Sequence, residues 1–323
     1  MNYHQKHLSA CLIALAALVS MAPIQGAWAA GLLGSAASFA VLGDSTVTNT
    51  GATVVTGNLG LSPPGVSVTG FELSPTNTIV VGPSPATGVT PGLGIVTGTI
   101  YVGDPVATQA HKDAVIAYAA LLGQTCTTAN NLSGMTLGTT PGAVTLPPGV
   151  YCFDSSAQLT GTLTLTGAGP WIFKIGSTLT TAAGSSTASG SSVVISGSGQ
   201  AGGVFWQVGS SATVGTYSQF IGNILAEASI TLGTSASVSG SALALTGAVT
   251  MDTNNVSVNA SVPVPVGSPP FCAPPKLSCD TNHQHHKNCK LHDYDPPHCD
   301  GNDDGHDGNQ KSWSSNPWSN DKH

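Results

Sequence analysis

The 323-residue chain contains no arginine, 8 lysines and 15 acidic residues, so that only 7% of it is charged and 6% is aromatic. An ordinary soluble domain carries roughly 25% charged residues. Binding to a nucleic-acid backbone requires cations that displace counterions; a formal net charge of −7 without arginine excludes that class. Disorder along the whole length is excluded from the other side, because disordered chains combine low hydrophobicity with high charge and this one is 41% apolar. Long hydrophobic runs are also missing. The run from Leu8 to Val19 is shorter than the ~20 residues that span a bilayer, Pro23 follows it, and Gly, Thr and Ser break every later stretch. A water-soluble chain so poor in ions must cover its surface with Ser, Thr, Asn and Gly.

Residues 1–29 have the organisation of a secretory signal peptide: His4, Lys6 and His7, an apolar run, then Ala27-Trp28-Ala29 as a small-x-small cleavage pattern. The expected location of the mature protein is therefore extracellular, with cleavage near Ala29 and no membrane insertion. Without Cys11, six cysteines remain. An even number in an exported chain points to disulfides. Cys126 and Cys152 are alone in the main body and are expected to pair; Cys272, Cys279, Cys289 and Cys299 leave three pairings open.

Charge divides the mature chain in two. Residues 31–270 hold nine charged side chains and residues 271–323 hold thirteen, together with seven of the ten histidines. Between them runs Val-Pro-Val-Pro-Val-Gly-Ser-Pro-Pro (262–270), a stiff extended linker. The expectation is a folded domain over 31–261, the linker, and a polar Cys/His/Asp-rich tail over 271–323, disordered or tied by disulfides.

Within the body one helix is expected. Asp104 suits the N-cap, Pro105 the first helical position and Gly123 the end. Val106, Ala110, Ala114, Ala117 and Leu121 form its apolar stripe, small enough to lie against a flat surface. The rest reads as short β-segments of Thr, Val, Ile and Leu separated by Gly, Ser and Asn. These segments repeat. Ser210-Ser211-Ala212-Thr213-Val214-Gly215-Thr216 aligns with Ala228-Ser229-Ile230-Thr231-Leu232-Gly233-Thr234 at an offset of eighteen, Ala248 to Thr253 follows at nineteen, and Ser177 to Thr181 is a more distant copy. Phe220, Val238 and Val256 recur every eighteen residues. Such self-similarity is the signature of a solenoid whose coils bury apolar positions against one another. Alternation along each strand places Val214, Leu232 and Met251 in an inward ladder and Thr213, Thr231 and Thr250 in an outward one. Rungs stand ~4.7–4.9 Å apart and successive outward residues on a strand ~6.7 Å apart. A flat grid of hydroxyl and methyl groups at these spacings can hold an ordered layer of water, provided that many weak contacts act together in register.

The segments SFAVLGDSTVTNTGATVVTGNLGLSP (38–63), VTGF (68–71), LPPGVYCF (146–153), SSAQLTGTLTLTG (155–167), IFKIGSTLTTAAGS (172–185), FWQVGSSATVGT (205–216), GNILAEASITL (222–232) and ALALTGAVTMD (242–252) carry a close resemblance to the secreted microbial ice-binding (antifreeze) proteins, the type 1 ice-binding family. The resemblance covers about residues 34–258. It implies a mostly β, right-handed, three-faced discontinuous β-solenoid, with the 105–122 helix alongside and the N-terminal coils stacked beside the C-terminal ones. It also implies adsorption to ice, with thermal hysteresis and inhibition of ice recrystallisation, through one flat face carrying a Thr-(Ala/Gly)-x-(Thr/Asn) pattern. Thr50-Gly51-Ala52-Thr53 fits the pattern in full; the segments at Thr181, at Thr216 with Ser218, at Thr234 with Ser235 and Ser237, and at Thr253 with Asn255 fit in part. Tyr217 and Gln219 are bulky for such a face. The strand phase leaves two ladders as candidates for it, the pattern itself and the Thr213/Thr231/Thr250 column. A Cys126–Cys152 bridge falls where it would pin the loop after the helix to the solenoid.

Other chemistries fit less well. The tail's Cys279, His283, His285, His286, Cys289, His292, His298 and Cys299 lack the spacing of a zinc finger. Asp300 to Gly305 resembles the start of a calcium loop, but Lys311 occupies the twelfth position, where a bidentate Glu belongs. Glycoside hydrolysis requires two facing carboxylates, and the body's seven acids fall in no such motif. The reading is of a monomeric, non-enzymatic protein with no cofactor and no metal, whose partner is the ice crystal surface and whose tail contacts a cell surface or polysaccharide. The alternative is an extracellular adhesin or matrix protein with the solenoid as a rigid scaffold.

Overall fold

The structure, a computed structural model, describes residues 31–258 apart from 66, 74, 76 and 84–86. The expected signal peptide (1–29), linker (262–270) and tail (271–323) lie outside the described residues, as do 259–261 at the end of the expected body.

Short strands of Val, Leu, Ile and Thr, many of them followed by turns that contain Gly or Ser, wind into coils with three strands per full turn. Like positions of successive coils pair in parallel, giving three sheets. Sheet A runs Gly149–Phe153, Trp171–Ile175, Val204–Val208, Asn223–Ala226, Ala242–Ala244, Phe39–Gly43, Asn58–Leu61, Thr99–Val102, Thr78–Val81. Sheet B runs Thr136–Leu137, Ala157–Leu159, Leu179–Thr181, Ala212–Val214, Ile230–Leu232, Val249–Asp252, Val47–Thr50, Ser67–Phe71, Gly88–Pro91. Sheet C, of eight strands, runs from Thr145–Leu146 to Ile95–Val96.

The strand order shows the discontinuity. In sheet A, Val41 pairs with Ala242 on one side and Leu59 on the other, and in sheet B Val47 pairs with Val249. The first strands of the body therefore stack on its last ones, about 200 residues away in sequence. The expected inward ladders are present: Val214 pairs with Leu232, Phe220 with Val238 and Val238 with Val256, and all of them, with Met251, are buried. Inside, Tyr151, Phe173, Trp206 and Phe220 form an aromatic column with centroid separations of 5.5, 3.9 and 4.8 Å. The indole N–H of Trp206 donates to Ile221 O at 3.0 Å and that of Trp171 to Leu146 O at 3.1 Å, so the buried indoles satisfy their one polar group.

Sheet A is covered by helix α1, Pro105–Leu122. Asp104 caps it by accepting from Ala107 N–H at 2.8 Å, and Gly123 ends it. The buried stripe is Ala107, Ala110, Ala114, Ala117 and Leu121. Val106, expected on this stripe from the sequence, instead faces outward, 45% exposed. Either 106 or 107 continues the i, i+3, i+4 progression at this end, and the packing of Ala110, Ala114, Ala117 and Leu121 against sheet A selects the rotation that buries Ala107. Alanines let α1 approach the sheet closely, where it seals Leu42, Phe205, Leu225, Leu243 and Leu245. Burial of each such leucine contributes about 1.5–3 kcal/mol. The Asp113 carboxylate accepts from Ser35 N–H at 2.8 Å and Ser35 Oγ at 2.6 Å, tying the 3-10 turn Gly34–Ser38 to the helix. The Cys126–Cys152 disulfide, with Cα atoms 6.1 Å apart, fastens the loop after α1 to sheet A. Among the described residues, no helix is long and apolar enough to cross a membrane.

Candidate functional site

The three sheets present different outer surfaces, because the outward residue of each strand differs. In the middle of sheet A the outward residues Phe205, Leu225, Leu243 and Leu42 are large and apolar, and α1 packs over them. In sheet C they are mixed: Thr162, Ser192, Gln219, Ser237, Asn255, Val54 and Ile95 follow one another along the stack. Sheet B is uniform. Its central outward column is Thr136, Gln158, Thr180, Thr213, Thr231, Thr250, Thr48, Thr69, Thr90. The last seven are threonines in unbroken register across seven coils. Parallel pairing places their Cβ atoms ~4.7–4.9 Å apart, and Thr48 Oγ1 donates to Thr250 Oγ1 at 3.4 Å. A parallel column two residues earlier holds Ser156, Thr178, Ser211, Ser229, Ala248, Thr46 and Ser67.

A third column stands at the corner where sheet B turns toward sheet C. Tyr217 N–H donates to Thr234 O at 3.0 Å, Ser235 N–H to Asp252 O at 3.1 Å and Thr253 N–H to Thr50 O at 2.9 Å. These bonds stack Thr216, Thr234, Asp252 and Thr50 in one row. Asp252 is the one charged side chain that the described residues contribute to the three columns. The next residue in each coil turns the chain: Tyr217, Ser235, Thr253 and Gly51 all have positive φ, between 52° and 77°. Polar side chains close the corner from inside. Asn254 donates from its side-chain amide to Gly233 O at 2.8 Å and Ala236 O at 3.0 Å.

This geometry sorts the residues singled out from the sequence. Thr50, Thr216 and Thr234 lie in the corner column, whose fourth member is Asp252; Thr253 belongs instead to the turning position, as does Ser235. Ser237 and Asn255 pair with each other at the start of sheet C. Thr53, Thr181 and Ser218 require correction as surface contacts, because all three are buried. Thr53 Oγ1 accepts Asn254 N–H at 2.9 Å, Thr181 Oγ1 accepts Gly215 N–H at 2.8 Å, and the Thr181 and Ser218 hydroxyls lie 2.8 Å apart. A four-residue pattern that crosses a corner cannot present all its members to one plane: in Thr50-Gly51-Ala52-Thr53 the first residue faces out, the second reverses the chain and the last points inward, whereas Ser237 and Asn255, at the last position of their segments, reach the outside of sheet C. The bulky Tyr217 sits on the turn and Gln219 on sheet C, so neither interrupts the sheet-B columns. The central column itself is signalled in the sequence by alternation alone, as Thr213, Thr231 and Thr250 already indicated; Thr48, Thr69 and Thr90 join it only through the discontinuous stacking.

Fold and surface together define a class: a three-sheeted parallel β-solenoid with one bare, hydroxyl-rich, nearly ion-free face. A family model described as "Ice-binding-like" matches residues 41–257. An ice-binding protein of Nostoc sp. (strain HG1) is 46% identical over 253 residues, covering 77% of this chain and 81% of that protein. One from Flammulina populicola is 36% identical over 228 residues, covering 68% and 84%. The crystal structure of an ice-binding protein from the Antarctic ascomycete Antarctomyces psychrotrophicus superposes with a TM-score of 0.58 at 37% identity, covering 70% of this chain and 97% of that one. The chain belongs to the Ice-binding-like family.

Proposed function

We infer that this chain is an ice-binding, antifreeze protein that adsorbs to ice through the bare face of sheet B, producing thermal hysteresis and inhibiting recrystallisation. The observation that carries the reading is the run of seven stacked threonines from Thr180 to Thr90. Each threonine offers a methyl group, around which water forms a cage, and a hydroxyl that anchors the cage. A single hydrogen bond contributes only about 0.5–1.5 kcal/mol net, so adsorption requires many in fixed register. The β-ladder supplies the register, and the packed core keeps the platform rigid. A scarcity of ions helps, because charged side chains hold water in orientations of their own.

The reading is of a binding protein without catalytic function, exported by its N-terminal segment and acting as a monomer. Its tail is a separate element that contacts a cell surface or polysaccharide. The test is a fluorescently tagged protein on a single-crystal ice hemisphere, run beside Thr231→Tyr. The parent labels defined planes and the variant does not; unlabelled ice with the folded parent overturns the reading. A scaffold-only adhesin would leave crystal shape and growth unchanged.

A further inference from the structure

Asp252 is out of place on the face just described. A free carboxylate is strongly hydrated and would disturb an ordered water layer. Its surroundings show why it is tolerated. Thr234 Oγ1, one coil away, donates to Asp252 Oδ2 at 2.5 Å, and Thr253 Oγ1 donates to Asp252 Oδ1 at 3.0 Å. Each carboxylate oxygen thus holds a hydroxyl of the same corner. The Asp252 backbone N–H donates to Asn254 Oδ1 at 2.6 Å, and Asn254 is itself held by Gly233 O, Ala236 O and Thr53 Oγ1. On the other side stands Gly51, where a Cβ would strike Thr253 Oγ1 and crowd Asp252 Oδ1. The absence of a side chain at Gly51 leaves room for this arrangement.

We propose that Asp252 is a positioning residue of the ice-binding corner: it orders the Thr234 and Thr253 hydroxyls for the ice-ordered water. This inference rests on the sheet-B reading above. A threonine hydroxyl that donates to a carboxylate has its proton direction fixed. It meets water with lone pairs only, and its side-chain rotamer, hence its methyl group, is fixed with it. Charge-assisted bonds of this kind are about twice as strong as neutral ones, which suits them to hold two exposed threonines that would otherwise rotate. The carboxylate, occupied by two internal donors, in turn binds fewer waters of its own.

Two views of the residue predict opposite results. If Asp252 merely interrupts the Thr216–Thr234–Thr50 row, Asp252→Thr completes the row and improves activity. If it positions its neighbours, Asp252→Thr lowers activity although it makes the row look more regular. The experiment measures hysteresis, ice partitioning and Tm for the parent, Asp252→Thr, Asp252→Asn, Thr234→Val and the Asp252→Thr/Thr234→Val double variant, with Thr231→Tyr alongside. The proposal expects Asp252→Thr to lose roughly half or more of the hysteresis, while Tm stays well above the assay temperature. Asp252→Asn, which keeps one acceptor, falls between. In the Thr234→Val background the second substitution costs less than it does alone, the non-additivity expected of interacting residues. Hysteresis of Asp252→Thr equal to or above the parent's overturns the proposal, as does strict additivity. If Asp252→Thr does not fold, Asp252→Asn decides: activity equal to the parent's overturns it. Full activity of Thr231→Tyr overturns the sheet-B reading instead.

Discussion

Sheets A and B are wound from the same coils, with the same parallel pairing and with buried apolar ladders on the inside, aromatic in part in sheet A and aliphatic along Leu179, Ala212, Ile230, Val249 and Val47 in sheet B. They differ in the residues that point away from the core. Phe205, Leu225, Leu243 and Leu42 point out of sheet A, and α1 seals them in. Thr213, Thr231, Thr250 and Thr48 occupy the corresponding places on sheet B, where, among the described residues, the first three are exposed and Thr48 half-exposed. The contrast teaches that a solenoid face is assigned by its outward column. A leucine column is unstable in water until something covers it; a threonine column is satisfied by water and can remain flat and open.

Substitution at the centre of the bare face tests this contrast most severely. Thr231→Tyr pushes a ring out of the plane and breaks contact on both sides, so thermal hysteresis should fall about tenfold, the equivalent of losing one or two hydrogen bonds of ~1 kcal/mol. The urea midpoint should not move; if it falls sharply, Thr231 is structural and the contrast fails. Thr53→Tyr offers a counter-example from the same coil system. Thr53 is fully buried, so this variant should lose stability along with activity.

On the covered side the expected loss is of the other kind. Leu225→Ala leaves a cavity under α1 and should cost about 2–5 kcal/mol of stability, read by chemical denaturation, while hysteresis per folded molecule is retained. Loss of hysteresis without loss of stability would show that sheet A, rather than sheet B, contacts ice.

A smaller effect is expected at Gln158, the one non-threonine in the central column. Gln158→Thr extends the unbroken run to Thr136 and should raise hysteresis by a modest factor, about 1.5-fold from one added contact of ~0.5 kcal/mol or less. A fall would show that this end of sheet B lies outside the contact.

The smallest effect concerns pH. Burial draws the Asp113 carboxyl upward, but the hydrogen bonds from Ser35 and Gln109 outweigh it and hold the group below its ordinary range. Folded Asp113 therefore takes up its proton later than the unfolded chain does. Its contribution to stability is present above the ordinary carboxylate range and is lost as the pH falls through the lowered value. Asp44 has the opposite sign. Burial raises its carboxyl more than the neighbouring His111, at 3.5 Å, lowers it, so its stabilising share is present at low pH and is lost as the pH rises through the raised value. Asp113→Asn should flatten the acid side of a Tm-against-pH curve and leave hysteresis at neutral pH unchanged. An unaltered acid limb would show that the contact between α1 and the Gly34–Ser38 turn does not hold the cover in place.

Much of this organisation was legible in the residues. Asp104, Pro105 and Gly123 set the ends of α1, since capping is local chemistry. The offsets of eighteen and nineteen aligned Val214, Leu232 and Met251 on the inside, since the strand period is fixed. Val106 was misplaced because 106 and 107 both fit an i, i+3, i+4 stripe at that end, and only the rotation of the packed helix chooses between them. Thr53, Thr181 and Ser218 were misjudged because a motif gives composition along the chain but not the direction of each side chain around a corner with positive φ.

Composition and periodicity by themselves determined that this is a nearly ion-free solenoid rich in threonine columns, because alternation and repeat length are properties of neighbours in sequence. The tertiary structure decided which column is bare, that Thr48, Thr69 and Thr90 prolong it, and that Asp252 joins the Thr216–Thr234–Thr50 row. Those outcomes depend on α1 folding over sheet A and on the first coils stacking against the last. Both are contacts between segments far apart in the chain, and no local rule sets their register.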